Sequence, residues 1–194
     1  MATGERRSAG QREDGDDARL IAAVRRKDIG AFEELYRSYY TRLTRFLLRL
    51  VNRPQLVEEV LNDTMMVVWE KADSFNGASK LSTWIFAIAY RKAMKALRKQ
   101  DEPIADDAIA ERVSADPTPE ESFSHGRQRS LLLKAMSELS PDHRAVIDFT
   151  YFQEMGYREI ASIMECPIDT VKTRMFHARR HLKKRMAGGL PDWL

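Results

Sequence analysis

The chain is poor in the residues that staple, punctuate or anchor a fold. It has one cysteine among 194 residues, which excludes an internal disulfide framework and a cysteine-based structural zinc site within one chain. Nine glycines and seven prolines exclude collagen-like and low-complexity classes. The longest wholly apolar run, 84–90, is seven residues long, whereas a membrane-spanning helix needs about 20. The opening MATGERRSAGQREDGDD offers no apolar stretch for a signal peptide, so the expectation is a cytoplasmic protein. No P-loop, GxGxxG or HExxH pattern occurs, which leaves no phosphate-cradling or metalloprotease motif and no expected cofactor. Overall charge is weak as well, with 32 Lys+Arg against 29 Asp+Glu.

That near-balance conceals segregation along the chain. Residues 1–16 are polar, hold three glycines, and read as a disordered tail. Residues 17–100 carry helical periodicity almost throughout, with only Gly30, Pro54 and Gly77 as punctuation. Residues 101–126 hold eight acids against one base, Arg112, together with Pro103, Pro117 and Pro119. They read as a flexible acidic linker with at most a short helix near 104–113. Helical periodicity returns over 127–187, and 188–194 form a tail. The expected fold class is all-α: two small helical domains on an acidic tether.

Local signals place the helices. Asp28 is positioned to cap a helix in which Phe32, Leu35, Tyr36, Tyr39, Leu43, Phe46 and Leu47 recur at three and four. Pro54 opens the next helix, predicted over 54–72. On it, Glu59, Asp63, Met66 and Glu70 share one narrow face, and Val57, Val60, Leu61, Met65, Val67, Val68 and Trp69 fill a broad apolar arc. Two readings stand: a central bundle helix with a solvated acidic edge, or a helix that also docks on a basic, partly apolar partner.

Ser82 can cap a third helix running to about Lys99. Residues 80–99 hold six bases and no acid. Trp84, Arg91, Lys95 and Arg98 share a face, flanked by Lys92 and Lys99, while Phe86, Ala89, Tyr90, Ala93 and Leu97 form the core side. A cationic track with an exposed indole suits single-stranded nucleic acid, because bases stack on the ring while the cations follow phosphates. In the preceding loop, Asn76, Ser79 and Lys80 can hydrogen-bond an extruded base. The bland alternative is a solvated basic face with Trp84 half-buried at a helix start.

The C-terminal part carries a sharper pattern. Ser140-Pro141-Asp142 opens a helix whose Val146, Ile147 and Phe149 to Phe152 form a platform. A short helix over 157–164 turns inward Ile160, Ala161 and Met164, followed by the turn Glu165-Cys166-Pro167. Pro167 suits the first position of a second helix with a narrow apolar stripe of Val171, Met175, Ala178 and Leu182. Thr170, Thr173, Arg174, His177, Arg180 and Lys184 face outward. Residues 167–187 hold seven bases and one acid, Asp169. Two helices joined by a tight turn, the second cationic, match a helix-turn-helix that reads DNA in the major groove. Its early residues would reach base edges, and Lys172, Arg179, Lys183 and Lys184 would contact phosphates. An ordinary hairpin with a basic face is the competing reading.

The stretches LSTWIFAIAYRKAMKALRK, LSPDHRAVIDFTYFQEMGYREIASIMECPIDTVKTRMFHARRHL and DIGAFEELYRSYY resemble bacterial sigma factors of the sigma-70 family, in the extracytoplasmic-function (ECF) group. The resemblance spans 17–187. It implies that 17–100 are region 2, with Glu59, Asp63, Met66 and Glu70 on the surface that docks on the polymerase β′ coiled coil. It implies capture of the unwound −10 strand by Asn76, Ser79, Lys80, Trp84, Arg91, Lys95 and Arg98. It makes 127–187 region 4, with Thr170, Lys172, Thr173, Arg174, His177, Arg180 and Lys184 at the −35 element and a surface for the β flap. Implied partners are core RNA polymerase, promoter DNA and an anti-sigma factor. One departure is Asp169, where relatives often carry glycine. The residues alone also allow a free-standing helix-turn-helix regulator, against which stands the lack of a heptad seam or ligand domain. An enzyme is the third reading, in which His177 and His181 could supply two metal ligands and Cys166 a thiol at a helix N-terminus.

Overall fold

A computed structural model describes residues 15–51, 53–101 and 131–186. The expected tails, the acidic linker and its short helix lie, apart from a few residues at their edges, outside these residues. The described residues form helices and turns without a strand. The first helix, α1, spans 15–25 and buries Leu20, Ile21 and Val24. It ends with Lys27 in the left-handed region (φ 62°). The Asp28 amide then reaches back to the Ala23 carbonyl (3.2 Å) and the Lys27 amide to Val24 (2.9 Å), a Schellman closure. Asp28 begins α2 (Ile29–Val51): its Oδ1 accepts from the Ala31 amide at 3.0 Å, as its sequence position suggests.

Along α2, the buried residues Leu35, Tyr39, Leu43, Phe46, Leu47 and Leu50 make a continuous stripe. It packs on α3 (Pro54–Glu70) and α4 (Leu81–Asp101). Pro54 does open α3, where its missing N–H costs nothing. The helix stops at Glu70, and a 3-10 turn, Ala72–Ser74, follows. Helix α4 starts at Leu81, so Ser82 lies inside the first turn and is not its cap. Most of the wide arc on α3 is core: Val57, Val60, Leu61, Met65 and Val68 are buried, while Val67 and Trp69 are half-buried. A central helix with neighbours on two sides needs that width.

The second module holds α5 (131–137), α6 (Pro141–Tyr151), α7 (Tyr157–Met164) and α8 (Ile168–Arg185). Ser140 caps α6 by accepting from the His143 amide (3.4 Å), with Pro141 in the first turn. Helix α7 begins with the Glu159 carboxylate accepting from the Gly156 amide (3.0 Å) and ends at Glu165 in the left-handed region. Pro167 is the cap residue of α8, one position before the expected place. The platform expected at Phe149 to Phe152 is narrower: Phe149 is fully buried, but Phe152 is 44% exposed beneath the Arg49 guanidinium (4.2 Å).

The two modules pack directly on each other, α2 on α6 and α4 on α7. Phe149 inserts between the helices of the first module, its ring centroid 4.9 Å from Phe46, 6.2 Å from Phe86 and 6.1 Å from Tyr90. The aromatic contacts make one apolar core across both modules. The two expected helical modules are present, and their direct packing was not legible: the periodicity of α6 does not distinguish a face for its own module from a face for the other.

Candidate nucleic-acid interface

Helix α8 is held from beneath. Val171, Met175, Ala178 and Leu182 are all buried against α6 and α7, as the stripe requires. Thr173, His177, Arg180 and Lys184 are thereby turned to solvent, and Lys172 as well. Thr170 and Arg174 are half-buried. Arg174 departs from the expectation. Its guanidinium pairs with Asp142 at the start of α6 and lies 3.7 Å from the Cys166 sulfur. Asp169 pairs with Lys172 at 3.0 Å within the first turn, where a carboxylate also complements the helix dipole.

The neighbouring histidines do not assemble a metal site. His181 Nε2 lies 3.4 Å from Glu138, which also pairs with Arg185 (2.6 Å). The His177 ring stands edge-on to His143 at 6.4 Å. Burial lowers the His143 pKa, assisted by His177 and the Arg174 charge. Among the described residues no three metal-ligating side chains converge.

On the first module, a groove of about 370 Å³ runs between the end of α3 and the start of α4. Trp84, Ile88, Arg91, Lys92 and Lys95 line one wall, and Val67, Lys71 and Ser74 the other. Trp84 is half-buried, not exposed, because Phe75 packs on it at 5.5 Å between ring centroids. Ile88 is buried within the same face. The indole is therefore held rigidly at the rim of a cationic groove, where one ring face can meet a base without losing side-chain freedom on binding. Lys71 and Ser74 are not legible from the sequence, because a wheel drawn for α4 contains nothing of the turn that follows α3. The nearest signal was a lysine four residues ahead of the Phe75-Asn76-Gly77 turn.

The loop leading into α4 is built, not loose. Asn76 Oδ1 accepts from the Ala78 amide at 2.9 Å, so this oxygen holds the turn. Gly77 takes φ +75°, which a side chain disfavours although space for a Cβ is open. Arg25 from α1 donates to the Ala72 carbonyl (3.2 Å) and to the Phe75 carbonyl, pinning the loop from behind. Ser79 is exposed, as are Lys95 and Arg98 along the track.

The acidic edge of α3 lies where expected: Glu59, Asp63, Met66 and Glu70 are all exposed, Met66 by 55%. Asp63 also pairs with Lys92 of α4 at 3.0 Å, so the acidic edge and the basic track are adjoining faces. Beside this edge, Phe32 packs on Trp69 (5.1 Å) and Tyr36 stacks on Tyr40 (5.8 Å).

The chain as a whole resembles known proteins. The family model described as Sigma-70 region 2 matches residues 35–102, and that described as Sigma-70, region 4 matches 129–182. The ECF RNA polymerase sigma factor RpoE of Cereibacter sphaeroides is 28% identical over 170 residues, covering 87% of this chain and 93% of that protein. The ECF RNA polymerase sigma-E factor of Escherichia coli K12 is 29% identical over 180 residues, covering 88% and 94%. Among solved structures, the sigma factor RpoE in complex with the anti-sigma factor NepR from Bartonella quintana superposes with a TM-score of 0.68. It is 27% identical, covering 82% of this chain and 98% of that one. CnrH in complex with the cytosolic domain of CnrY shares the fold, with a TM-score of 0.62 at 20% identity over 90% of this chain and 99% of that one. With both regions matched in order and relatives aligned over nearly their whole length, the chain belongs to the sigma-70 family of RNA polymerase sigma factors, in its ECF group.

Proposed function

We propose that this protein is a dissociable initiation subunit that gives core RNA polymerase its promoter specificity. The first module captures the displaced −10 strand: Trp84 stacks a base, Arg91, Lys95 and Arg98 follow phosphates, and Ser79 and Lys80 contact the extruded nucleotide. The Asn76 amide nitrogen remains for a base edge while its oxygen holds the turn. The second module reads the −35 element with Thr170, Thr173, Arg174, His177 and Arg180, and Lys172 and Lys184 grip the backbone. Glu59, Asp63, Met66 and Glu70 dock on the β′ coiled coil, and the second module also meets the β flap. Residues 101–126, which would reach about 86 Å if extended at about 3.3 Å each, span the distance between the two promoter elements on the polymerase. The protein works in the cytoplasm, breaks no covalent bond itself, and meets an anti-sigma factor as its antagonist. Among the described residues no helix is long and apolar enough to cross a membrane.

The observation that carries this reading is the pairing of a rigid reading helix in one module with an indole-rimmed cationic groove in the other. In-vitro transcription with core polymerase, with and without the purified chain, tests it. Start sites that appear only with the chain are the expected result; a genomic template library giving no chain-dependent transcript would sink the reading.

A further inference from the structure

The loop ahead of Trp84 is fastened by side chains from α1, a helix to which strand capture assigns no residue. Helix α3 stops at Glu70, and the chain turns through Ala72–Ser74 before α4 starts at Leu81. A helix end followed by a tight turn leaves carbonyls without intrahelical partners, and cations are favourable beside them. Two cations from the end of α1 take these carbonyls. Lys27 Nζ donates to the Trp69 carbonyl at 2.7 Å and lies 5.1 Å from the centre of the Trp69 ring. Arg25 Nε donates to the Ala72 carbonyl at 3.2 Å, and its Nη2 donates to the Phe75 carbonyl. One guanidinium thus joins two acceptors three residues apart, which its planar fork of donors allows. Within the same turn, Ser74 Oγ donates to the Lys71 carbonyl at 2.7 Å.

The bridged turn carries part of the groove. Ser74 lines it, and the Phe75 ring lies 5.5 Å from Trp84 at an interplanar angle of 45°. Both rings are half-buried. Past Phe75, residues 76–80 are all exposed, and Gly77 turns the chain at φ +75°. An exposed segment gives the ring little support from the α4 side. The hold on Phe75 therefore comes from its own carbonyl, and the donor to that carbonyl is Arg25.

We propose that Arg25 is a positioning residue for strand capture. Through the Phe75 carbonyl it sets the Phe75 ring, and through that ring the orientation in which the Trp84 indole meets a base. This role rests on the strand-capture reading, but the hold on the indole can be observed without polymerase. An indole already fixed in place pays little ordering cost when a base arrives, whereas a loosened one must be ordered during capture. Lys27 acts separately on the end of α3, so loss of Arg25 leaves Trp69 where it is.

The test uses the full chain as Arg25→Met, which keeps the length of the stem and removes every donor. Phe75→Leu breaks the same relay at its ring and carries the experiment if Arg25→Met loses helical circular dichroism. Arg26→Met removes one equal charge at the next, exposed position and is the control. In the fluorotryptophan-labelled free chain, fluorine resonances assigned by single Trp→Phe replacements read each indole. Both relay variants should move the Trp84 line and leave the Trp69 line in place, and the control should move neither. In the holoenzyme, on a promoter obtained from the transcription assay, the relay variants should keep the control's affinity for core polymerase. They should open the promoter about three- to tenfold more slowly, read by permanganate reactivity. An unmoved Trp84 line in Arg25→Met would overturn the proposal. So would opening rates equal to the control, or a Trp69 line that moves with Trp84 in both variants, since the module would then have loosened as a whole. If the Trp84 line moves as expected in a protein that starts no transcript with core polymerase, the promoter reading fails and the hold of Arg25 on the indole stands.

Discussion

Single side chains here divide by how firmly the fold holds them. Arg180 is exposed on the outer face of α8, so its truncation should leave the urea midpoint unchanged. Promoter binding by the holoenzyme should weaken by about 1–3 kcal/mol if the guanidinium makes a bidentate contact with guanine. Competition binding on templates altered at single upstream positions checks this: an Arg180→Ala protein with unchanged base preference would remove Arg180 from the reading face. Arg174→Ala should differ, lowering the urea midpoint as well, because it removes the partner of Asp142. Trp84 is wedged against Phe75. Trp84→Ala should still bind core polymerase yet fail to open the promoter, read as lost permanganate reactivity of unpaired thymines. If the variant unfolds instead, the ring is a packing residue and nothing more.

At the scale of an element, the start of α6 carries the pH response. The His143 Nδ1 stands 2.6 Å from Ser140 Oγ, the cap of the helix. Burial, His177 and Arg174 hold the ring's pKa below its ordinary value of 6.5. The unfolded chain therefore takes up a proton first as the pH falls. Stability from this group is present above about pH 6.5 and declines below it until the folded-state pKa is passed. A positive charge at a helix N-terminus is unfavourable in the same sense. Urea midpoints should fall between pH 7.5 and 5.5 more steeply in the wild type than in His143→Gln; parallel slopes would exclude this histidine as the cause. Helix α8 shows why its own pattern was easy to read. Its buried and exposed faces lie on one continuous helix, so a 3.6-residue period maps them directly.

For the whole molecule, the aromatic cluster of Phe46, Phe86 and Phe149 joins the modules into one cooperative unit. Two of the three tryptophans, Trp69 and Trp84, lie in the first module, whereas far-ultraviolet circular dichroism reports helices in both. Urea transitions followed by the two signals should coincide. Fluorescence and dichroism midpoints that separate would mean that the modules unfold independently and that the shared cluster contributes little. The buried Asp148 is the sensitive point of this contact. Its carboxyl is pushed up by burial and drawn down by Arg49. Removing Arg49 would leave a buried charge without its cation.

Helix positions and faces and most of the caps were legible from the residue order; Ser82, inside the first turn of α4, and Pro167, one position early, were not placed correctly. Asp28, Pro54, Ser140 and the Val171–Met175–Ala178–Leu182 stripe act through neighbours no more than a few residues away. The acidic edge of α3 and the outward cations of α8 follow from the same local geometry. What folding decided lies between residues far apart in the chain. Tyr90 meets Asp142 across 52 positions and Arg42 meets Gln153 across 111. Lys71 becomes the second wall of a groove begun by Trp84, and Arg174 turns from the reading face toward Asp142. A helix's periodicity states which side must leave water. It carries no information about which other surface will cover that side, because burial of apolar area is non-directional and any complementary face satisfies it.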